Sequence, residues 1–592
     1  MRLWFERLSL GGLALLLWLV VATVSLVAYR DAIATLGLLD TDDFMRLAQV
    51  RDLMAGQSWF DVTQYRINPA GGGGLMHWSR FIDLQIAALI ALLRLVLSPD
   101  AAERWAVALY PLLLILPLFL LFARILAHLG DRRQAIAGLL IAASAVTFLH
   151  YFAPLRIDHH NWQLLLSVAM LWLALGEPRF ARGLAAAAVM GVHLEVSLEA
   201  FPYLVLFGAL FALEWLRDPR AAPRLAGFAM GLVIFPALWL LLFRGWDAFT
   251  AIRCDALSPP YAVGAATAAL VLVVALRVPA VAASWPRRLV VLGLAGAAGA
   301  GAFLAFGGAC LAGPFGELEP LVRRFWYDQV MEGRPVWKQD ADTAALFFTP
   351  TLVGLGAALW AWRRARGTDR AANWDRLLFV LLCSGLLSML VFRTGAATQA
   401  YLVPAFAAMI VALWDWSRAR PSVLGRVGAA LLVLGAIPAV DAMVAQRIAQ
   451  RVFPDKKLAA NTDGEGNCMT RDVQAPLAAA PAATIFAPID IGPSILIRTP
   501  HSVVATGHHR NHAAMNRVIA AYLSDPAVSE PIVRASGASY LAFCEKLPES
   551  ENQARANPHA LAARLARGEP IAWLAYDAKL SRDRLRIYRV VD

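Results

Sequence analysis

Three aspartates stand within four residues at Asp40-Thr41-Asp42-Asp43, shortly after the first long apolar run. Carboxylates this close repel one another unless a cation or the N-terminus of a helix offsets their charge. We therefore predict that Asp42 helps to bind a divalent cation. The alternative is that Thr41 or Asp42 caps a helix that extends to Ala55, and capping does not prevent cation binding.

A second polar segment, Arg156 to Gln163, lies between two apolar runs and contains Asp158, His159 and His160. Aspartate favours Mg²⁺ or Mn²⁺, and imidazole suits Mn²⁺ better than Mg²⁺. The segment is therefore a second candidate for divalent-cation ligands. The alternative is a helix cap formed by Asp158, with histidine and tryptophan side chains at the membrane interface. A zinc site is less favoured because no cysteine lies nearby.

A third segment, 313–343, combines Glu332 and other acidic residues with the aromatic run Phe325-Trp326-Tyr327. Such a segment suits gating or acceptor binding, and the simpler interpretation is a solvated loop with aromatic membrane anchors. Arg393 follows a later apolar run. A guanidinium in that place either snorkels to the interface or pairs with a phosphate.

Membrane helices must position these residues, because the composition excludes an ordinary soluble protein. Of the 592 residues, 59% are hydrophobic and 16% are charged, and the mean hydropathy is +0.56. Soluble domains are about 25% charged. Five cysteines are too few for a disulfide framework. The net charge of +11 does not indicate nucleic-acid binding, because the basic residues cluster in short loops between apolar runs.

The apolar runs predict a polytopic α-helical protein with about 13 spans, since a spanning helix needs about 20 mostly apolar residues. A shorter run at 84–98, interrupted by Arg94, is predicted to lie along the interface. The arginine-rich loops then share one face, which the positive-inside rule makes cytoplasmic. The predicted spans are 8–29, 104–128, 134–151, 162–176, 183–195, 198–215, 225–243, 263–282, 289–312, 344–362, 377–393, 398–416 and 427–444.

The long polar segments then lie on the opposite face, which we predict to be the periplasmic face of the cell inner membrane. We expect a membrane domain over 1–444 and a periplasmic α/β domain over 445–592, in which short β-prone runs alternate with helical stretches. The catalytic outer loops of the membrane domain are predicted at 30–103, 151–161 and 313–343.

The cysteines divide between these two parts of the chain. Cys468 and Cys544 both fall in the predicted periplasmic domain, where a disulfide between them is one of the open alternatives. Cys254, Cys310 and Cys383 lie in or near the membrane and are predicted to be small buried residues.

The first two polar segments resemble motifs of the catalytic subunit of oligosaccharyltransferase in its single-subunit bacterial and archaeal form. That family consists of integral-membrane glycosyltransferases of the GT-C class. Asp42 stands ten residues before Asp52, and Asp52 belongs to an Arg-Asp pair that opens a Met-Ala-Gly stretch. This arrangement is similar to the family's first-loop motif. Asp158-His159-His160 resembles its second-loop motif, with His160 where an acid usually stands.

Three further parts of the sequence are similar in position to functional segments of this family. The segment from Val330 to Trp337 resembles its re-entrant outer loop, in which Glu332 is the motif's glutamate. Arg393 is placed like the family's lipid-phosphate arginine. Asp490 and Gly492 match two positions of the family's Trp-Trp-Asp-Tyr-Gly motif, whose aromatic residues are replaced here.

The resemblance implies transfer of a glycan from a polyprenyl-(di)phosphate donor to an acceptor, with Mn²⁺ or Mg²⁺ as cofactor. It makes Asp42, Asp158 and His160 metal ligands, and Asp42 and Glu332 catalytic residues. By the same resemblance Arg393 binds the donor phosphate, whereas Asp490 and Gly492 contact the acceptor.

Two other functions remain open. A GT-C enzyme that transfers a sugar from polyprenyl monophosphate to a lipid or polysaccharide is favoured by the replaced aromatic residues of the last motif. A membrane transporter or flippase is the second alternative. Transporters tend to have ionisable residues at mid-membrane and repeated halves, whereas here the acids cluster at one membrane face and the halves do not repeat.

Overall fold

The computed structural model describes residues 8–453 and 468–592. In these two ranges the chain is mostly helical, with a small β-sheet near the C-terminus. Eight helices of the described ranges are long and apolar enough to cross a membrane, or up to ten if each of two bent helix pairs is one span. The protein is therefore a multi-pass membrane protein.

The helices are bounded as follows. The first ten are α1 (Leu10–Ala28), α2 (Arg30–Thr35), α3 (Thr41–Met54), α4 (Arg80–Leu93), α5 (Pro99–Leu129), α6 (Arg132–Ser144), α7 (Val146–Leu149), α8 (His160–Ala174), α9 (Phe180–Val196) and α10 (Phe201–Arg217). The next ten are α11 (Ala222–Arg244), α12 (Pro259–Ala275), α13 (Pro279–Ala282), α14 (Trp285–Gly307), α15 (Pro320–Phe325), α16 (Ala341–Ala365), α17 (Ala371–Leu390), α18 (Gly395–Arg418), α19 (Val423–Gly435) and α20 (Pro438–Val452). The last six are α21 (Arg471–Ala478), α22 (Gly492–Arg498), α23 (His512–Leu523), α24 (Pro526–Ala535), α25 (Pro548–Ala556) and α26 (Leu561–Ala566).

The predicted count of about 13 spans is not confirmed. Three of the predicted runs form helices of 15 to 17 residues, namely α8, α9 and α12. Such helices are short for a bilayer with a hydrocarbon core of about 30 Å. Two others, α6 with α7 and α19 with α20, are bent by 52° and 83°. The coarse pattern of apolar helices therefore agrees with the sequence, whereas the number of crossings stays a prediction.

Helix α18 is the best buried part of the bundle. Every residue from Gly395 to Ala408 is buried, and the helix packs against α6, α16 and α17. Small residues such as Ala397 and Ala400 let neighbouring backbones approach closely, which is how membrane helices gain packing energy. Arg393 stands just before this helix, so its position is set by a well-packed element.

The C-terminal sheet has five strands in the order β4-β3-β5-β7-β6. Strand β3 pairs in parallel with β4 and β5, whereas β7 pairs antiparallel with β5 and β6. A two-stranded antiparallel ribbon, β1 with β2, lies in the segment between α3 and α4. The strands are β1 (Thr63–Gln64), β2 (Gly74–Leu75), β3 (Thr484–Phe486), β4 (Ser502–Val503), β5 (Tyr540–Cys544), β6 (Leu574–Tyr576) and β7 (Leu585–Val590).

The C-terminal part is fastened to the segment that follows the first span. Arg51 of α3 donates to the carbonyl of Ile497 at 2.7 Å, and Arg66 donates to that of Leu496 at 2.8 Å. Both carbonyls belong to α22, whose last carbonyls lack partners inside the helix and are satisfied by these guanidinium groups. The sheet is therefore held next to α3, the helix that carries Asp42.

Two disulfides are present. Cys468 pairs with Cys544, and Cys254 pairs with Cys310. Cys310 is buried as predicted and Cys254 is half-buried, but the second pair shows that the two are joined and are not simply small residues of the interior. Both lie in segments that join helices at one end of the bundle, and sequence spacing does not reveal which loop cysteines meet in space. Cys383, inside α17, is the free cysteine of the described ranges.

Candidate functional site

The first turn of α3 places its aspartates on different sides. Asp40 caps the helix, and its side chain accepts a hydrogen bond from the backbone N–H of Asp42 at 3.1 Å. Asp43 is fully buried and accepts hydrogen bonds from the backbone N–H groups of Ile157 and Asp158 at 2.8 and 3.1 Å. Asp42 instead keeps 32% of its side chain exposed. The cap is therefore Asp40 and not the predicted Thr41 or Asp42, and the carboxylate of Asp42 stays accessible beside it.

Arg156 forms ion pairs with three carboxylates. Its guanidinium lies 3.1 Å from Asp40, 3.2 Å from Asp43 and 2.6 Å from Asp158. Burial raises the pKa of Asp43 well above its usual value although Arg156 opposes this shift. Burial acts in the same direction on Asp158, but Arg156 and the two neighbouring histidines outweigh it and lower the pKa of that carboxyl. Asp158 also accepts a hydrogen bond from the backbone N–H of His160 at 3.0 Å, as the capping interpretation predicted.

A compact group of metal-ligand atoms lies beside this cluster. One ligand atom each of His159, His160 and Glu199 lie within 4.8 Å of one another. The two histidines are buried, and burial lowers the pKa of His159 to about 4, so that its imidazole is neutral at pH 7. The Nδ1 atom of His159 is buried and has no hydrogen-bond partner in the described part of the chain. Burial also lowers the pKa of His160, but the charges of Asp158, Glu332 and Glu199 outweigh it and raise that pKa to about 9, so this imidazole must lose a proton when it binds a metal. Two imidazoles and a carboxylate suit Zn²⁺ or Mn²⁺ better than Mg²⁺.

Arg393 and Glu332 approach the same group from another side. Arg393 donates to Glu199 at 2.7 Å, and its guanidinium lies 3.6 Å from a carboxylate oxygen of Glu332. Gln163 also donates to Glu199, at 3.0 Å, while its carbonyl oxygen lies 2.8 Å from His160. A cavity bordered by Tyr151, His160, Glu199 and Arg393 opens here. A phosphate in this cavity would meet a guanidinium and the histidine-carboxylate group together.

The C-terminal part contributes His508 from the loop that follows β4. Its Nε2 lies 3.4 Å from a carboxylate oxygen of Asp42. Burial raises the pKa of Asp42, but His508, with smaller contributions from His159 and His160, lowers it below its usual value overall. The indole of Trp78 packs against both His508 and His159, with ring centroids 5.3 and 5.9 Å apart. Trp78 therefore connects the histidines of the two parts of the chain.

Asp490 lies between β3 and α22, and Gly492 is the first residue of α22. The buried carboxylate of Glu549 accepts hydrogen bonds from the backbone N–H groups of Ile489 and Asp490, both at 3.1 Å. Burial, with the charge of Asp490 adding to it, raises the pKa of Glu549 to about 8. Gly492 opens α22, where an added Cβ would lie 2.7 Å from the carbonyl oxygen of Ala505. A glycine is required at this position for packing alone.

The structure brings most of the predicted site residues to one end of the bundle, which we call the site end. Asp42, Asp158, His160, Glu332 and Arg393 all lie there, each in contact with another member of the site or with its immediate neighbours. Of the predicted metal ligands, however, only His160 belongs to the compact group; Asp42 and Asp158 do not.

Three contributors were not singled out as site residues in the sequence analysis, namely Glu199, Arg156 and His508, and His159 was named only as part of the second candidate segment. His159 stands inside the second polar segment, so its neighbours were a usable signal. Glu199 stands at the start of the predicted span 198–215, and an acidic residue there was a weaker signal. His508 lies far away in the chain, and its approach to Asp42 depends on how α22 docks on α3.

No known protein-family profile matches the sequence, and no curated protein matches it by sequence. Solved structures do match. The archaeal oligosaccharyltransferase AglB of Archaeoglobus fulgidus, in complex with an inhibitory peptide and a dolichol-phosphate, has a TM-score of 0.65 at 15% identity, over 97% of this chain and 73% of that one. The Archaeoglobus fulgidus oligosaccharyltransferase in complex with Zn and sulfate has a TM-score of 0.57 at 14% identity, over 97% and 73%.

The chain has the oligosaccharyltransferase fold. The similarity extends over both the helical bundle and the C-terminal sheet, because it covers nearly the whole chain. It confirms, at the level of the fold, the resemblance that the first two polar segments indicate. At 14 to 15% identity it does not carry the archaeal protein's substrates to this chain.

Proposed function

We propose that this protein is a membrane glycosyltransferase that moves a glycan from a polyprenyl-phosphate or -diphosphate donor to an acceptor at the extracytoplasmic face. The observation that carries the proposal is the group of His159, His160 and Glu199 with Arg393 at its border, at one end of an oligosaccharyltransferase-like bundle. Cationic and metal-ligating groups together are what a departing phosphate needs, since negative charge develops on it as the sugar leaves.

We assign the divalent cation to His159, His160 and Glu199 rather than to the predicted set of Asp42, Asp158 and His160. Asp158 is engaged by Arg156 and by the backbone N–H of His160, and Asp42 faces His508. The unpartnered Nδ1 of buried His159 fits a ligand role, because a buried polar atom without a partner is costly. When bound, the cation supplies positive charge that stabilises the leaving phosphate. Zn²⁺ or Mn²⁺ fits this donor set, and one similar structure contains Zn.

The chain's own residues have distinct roles in the proposal. Arg393 holds the donor phosphate by charge-assisted hydrogen bonds. Asp42, whose carboxylate stays ionised beside His508, accepts a hydrogen bond from the acceptor nucleophile. Glu332, 48% exposed next to Arg393, orients the acceptor from the other side. Asp490 and Gly492 remain candidate acceptor contacts from the C-terminal part.

The remaining predictions belong to the same proposal. They are about 13 spans, a membrane domain over 1–444, a periplasmic domain over 445–592 and location in the inner membrane. The pairing of arginines with main-chain carbonyls at the opposite end of the bundle is compatible with a cytoplasmic face there, since basic residues favour that side.

A GT-C enzyme that uses polyprenyl monophosphate and a lipid or polysaccharide acceptor is the second candidate. One observation favours it. The segment from Ala487 to Gly492 has neither tryptophan nor tyrosine, and two of its backbone N–H groups already donate to Glu549. A site built to grip a peptide hydroxyl needs an available donor, and this segment offers few.

The test is transfer of a radiolabelled sugar from a membrane extract that contains polyprenyl-linked donors, with the full chain in native membranes. Chelation followed by addition of single cations identifies the metal. We expect Glu199→Gln and His159→Asn to lower the rate at least about 100-fold, as removal of electrostatic stabilisation does. Glu177→Gln, an exposed substitution, is the matched control and keeps full activity. Full activity of Glu199→Gln would refute the metal assignment.

The products separate the two candidate functions. Label that appears in peptides with an Asn-X-Ser/Thr sequence supports protein glycosylation. Label confined to lipid or polysaccharide supports the second candidate. Absence of any sugar transfer by the unaltered protein, with active donor present, contradicts both.

A further inference from the structure

A second cleft, which we call the cleft behind Trp78, is bordered in part by the indole of that residue. It is bordered by the segment after α3, the end of α11 and the segment between α11 and α12, and it encloses about 690 Å³ with its open mouth included. None of the residues assigned above to the donor phosphate or the cation lines it. Trp78 borders the cleft and also packs against His159 and His508, so a ligand in the cleft would lie close to the site.

Three guanidinium groups line this cleft. Arg244 pairs with Glu195 at 2.9 Å, and Arg510 pairs with Asp255 at 2.7 Å. Arg253 makes no ion pair in the described part of the chain, although it also lines the cleft. One further carboxylate, that of Asp247, faces the cleft and likewise has no arginine partner in the described ranges. The cleft therefore offers a free cation for an anionic group and a free carboxylate for a hydroxyl.

Aromatic rings complete the lining. Phe60, Trp78 and Phe243 border the cleft, and the buried indole N–H of Trp78 has no hydrogen-bond acceptor in the described residues. Aromatic faces beside a few convergent polar groups are typical of sites for small ring-shaped ligands. An unpartnered buried donor is costly, and a hydroxyl or ring oxygen of a ligand would satisfy it.

The mouth of the cleft lies where a membrane helix ends. Leu241 and Leu242 near the end of α11 are 43% and 46% exposed, and Trp246 and Ile252 just beyond it are 75% and 53% exposed. Exposed apolar residues at the end of a spanning helix face lipid, and tryptophan prefers the boundary between lipid and water. A ligand that enters this cleft therefore has an apolar surface beside it on which a lipid chain can lie.

We propose that the cleft behind Trp78 binds the headgroup of an acceptor lipid, namely a sugar ring that carries an anionic substituent. Arg253 pairs with the anionic group, the aromatic rings hold the sugar face, and Asp247 accepts from a ring hydroxyl. The assignment of this ligand as the acceptor rests on the proposed glycosyltransferase function. Its location in the cleft does not, so the two can fail separately.

The test measures binding to the purified full chain in lipid nanodiscs, by quenching of tryptophan fluorescence. The probes are a glycolipid with a glucuronic acid headgroup and the same lipid with a glucose headgroup. We expect the acidic lipid to bind at least about 10-fold more tightly, as one charge-assisted contact allows. Arg253→Gln should remove that preference. Arg30→Gln, an exposed arginine after α1, is the matched control and should keep it.

Three outcomes would overturn the proposal. Equal affinity for the acidic and neutral lipids would exclude an anionic ligand. An unchanged preference in Arg253→Gln would exclude Arg253 as the partner of the anionic group. Free glucuronic acid that binds as tightly as the lipid form would exclude a lipid acceptor. If the acidic lipid binds as expected but receives no sugar from any donor, the proposed function fails while the cleft assignment stands.

Discussion

The two ends of the helical bundle use the same kinds of side chain in opposite proportion. At the site end, three carboxylates converge on the single guanidinium of Arg156. At the other end, which we call the basic end, the guanidinium groups of Arg224 and Arg376 converge on the single carboxylate of Glu214. Both groups are largely buried, so neither charge excess is cancelled by water alone.

The difference separates two uses of buried charge. At the basic end the surplus guanidinium donates to main-chain carbonyls, since Arg224 also binds the carbonyl of Ala174. The buried Nε of Arg224 has no hydrogen-bond partner in the described ranges, but a guanidinium nitrogen carries a proton and has no lone pair for a metal. At the site end the surplus is negative and the neighbouring imidazole of His159 has an unpartnered nitrogen. A surplus of acids beside free metal ligands is what a cation-binding site requires, and a structural charge cluster does not.

The largest expected effect comes from Arg156→Ala. Removal of one partner from a buried ion pair leaves the others uncompensated and costs about 3–5 kcal/mol of stability. The side chains of Asp43 and Asp158 are 0% and 1% exposed, so this range applies to them. Thermal unfolding in detergent measures the loss. Arg376→Ala, at the basic end, should cost less than half as much because Arg224 still holds Glu214.

Acid should partly restore the Arg156→Ala variant. Burial already raises the pKa of Asp43 even with Arg156 present, and without that guanidinium the pKa rises further. The folded state then binds a proton that the unfolded state has released, so its stability increases as the pH falls towards the ordinary aspartate value of 3.8. An equal loss for Arg156→Ala at every pH, or equal losses at both ends, would contradict the comparison.

The second largest effect concerns the disulfide between Cys254 and Cys310, which joins two segments near the second cleft. Its replacement by Cys254→Ser with Cys310→Ser should lower the free energy of unfolding by about 2–4 kcal/mol, since a crosslink restricts the unfolded chain. Cys383→Ala changes the free cysteine in α17 and is the matched control. Melting of the oxidised proteins measures the difference. Stability that is unchanged in the double variant would mean that the loops are held without the crosslink.

The sequence predicted the elements of this molecule better than their contacts. Apolar runs located the helices, and short β-prone runs near 484, 502, 540 and 585 became strands of the sheet. These features depend on local composition and on periods of two or 3.6 residues, which any single sequence displays. Helix bends and helix lengths were harder to predict, because they are set by packing against neighbouring helices. The examples are the two bent helix pairs and the short helices α8, α9 and α12.

The candidate site shows even more clearly that a sequence pattern predicts local elements better than contacts between distant residues. Asp158 and His160 were singled out because they stand together in one polar segment between apolar runs. Glu199 reaches them only because α10 begins beside α8, and His508 reaches Asp42 only because α22 docks on α3. Such meetings arise from long-range packing, which a pattern within one segment does not contain. The disulfide between Cys254 and Cys310 was missed for the same reason.

A third prediction concerns Glu549, a buried carboxyl in the C-terminal part. Burial and the charge of Asp490 raise its pKa, and no arginine is among the groups that lower it. Its pKa is raised from 4.5 to about 8, so between these values the folded state keeps a proton that the unfolded state loses. Stability should therefore fall as the pH rises through this window, by up to about 1.4 kcal/mol per pH unit. Glu549→Gln should flatten that slope, as pH-dependent melting would show. An unchanged slope in the variant would mean that Glu549 is ionised in the fold, as Asp158 is.

The smallest effect is expected for the exposed pair of Arg133 and Asp415 at the basic end. The two side chains are 57% and 52% exposed and lie 2.6 Å apart. Exposed pairs contribute little because water screens the attraction and both side chains lose freedom. We expect no resolvable change in the melting temperature for Arg133→Ala, for Asp415→Ala or for the double variant. The coupling free energy between the two substitutions could instead be as large as that between Arg156 and Asp158. Exposure would then not distinguish the two kinds of ion pair, and the comparison between the ends would rest on the carboxylate surplus alone.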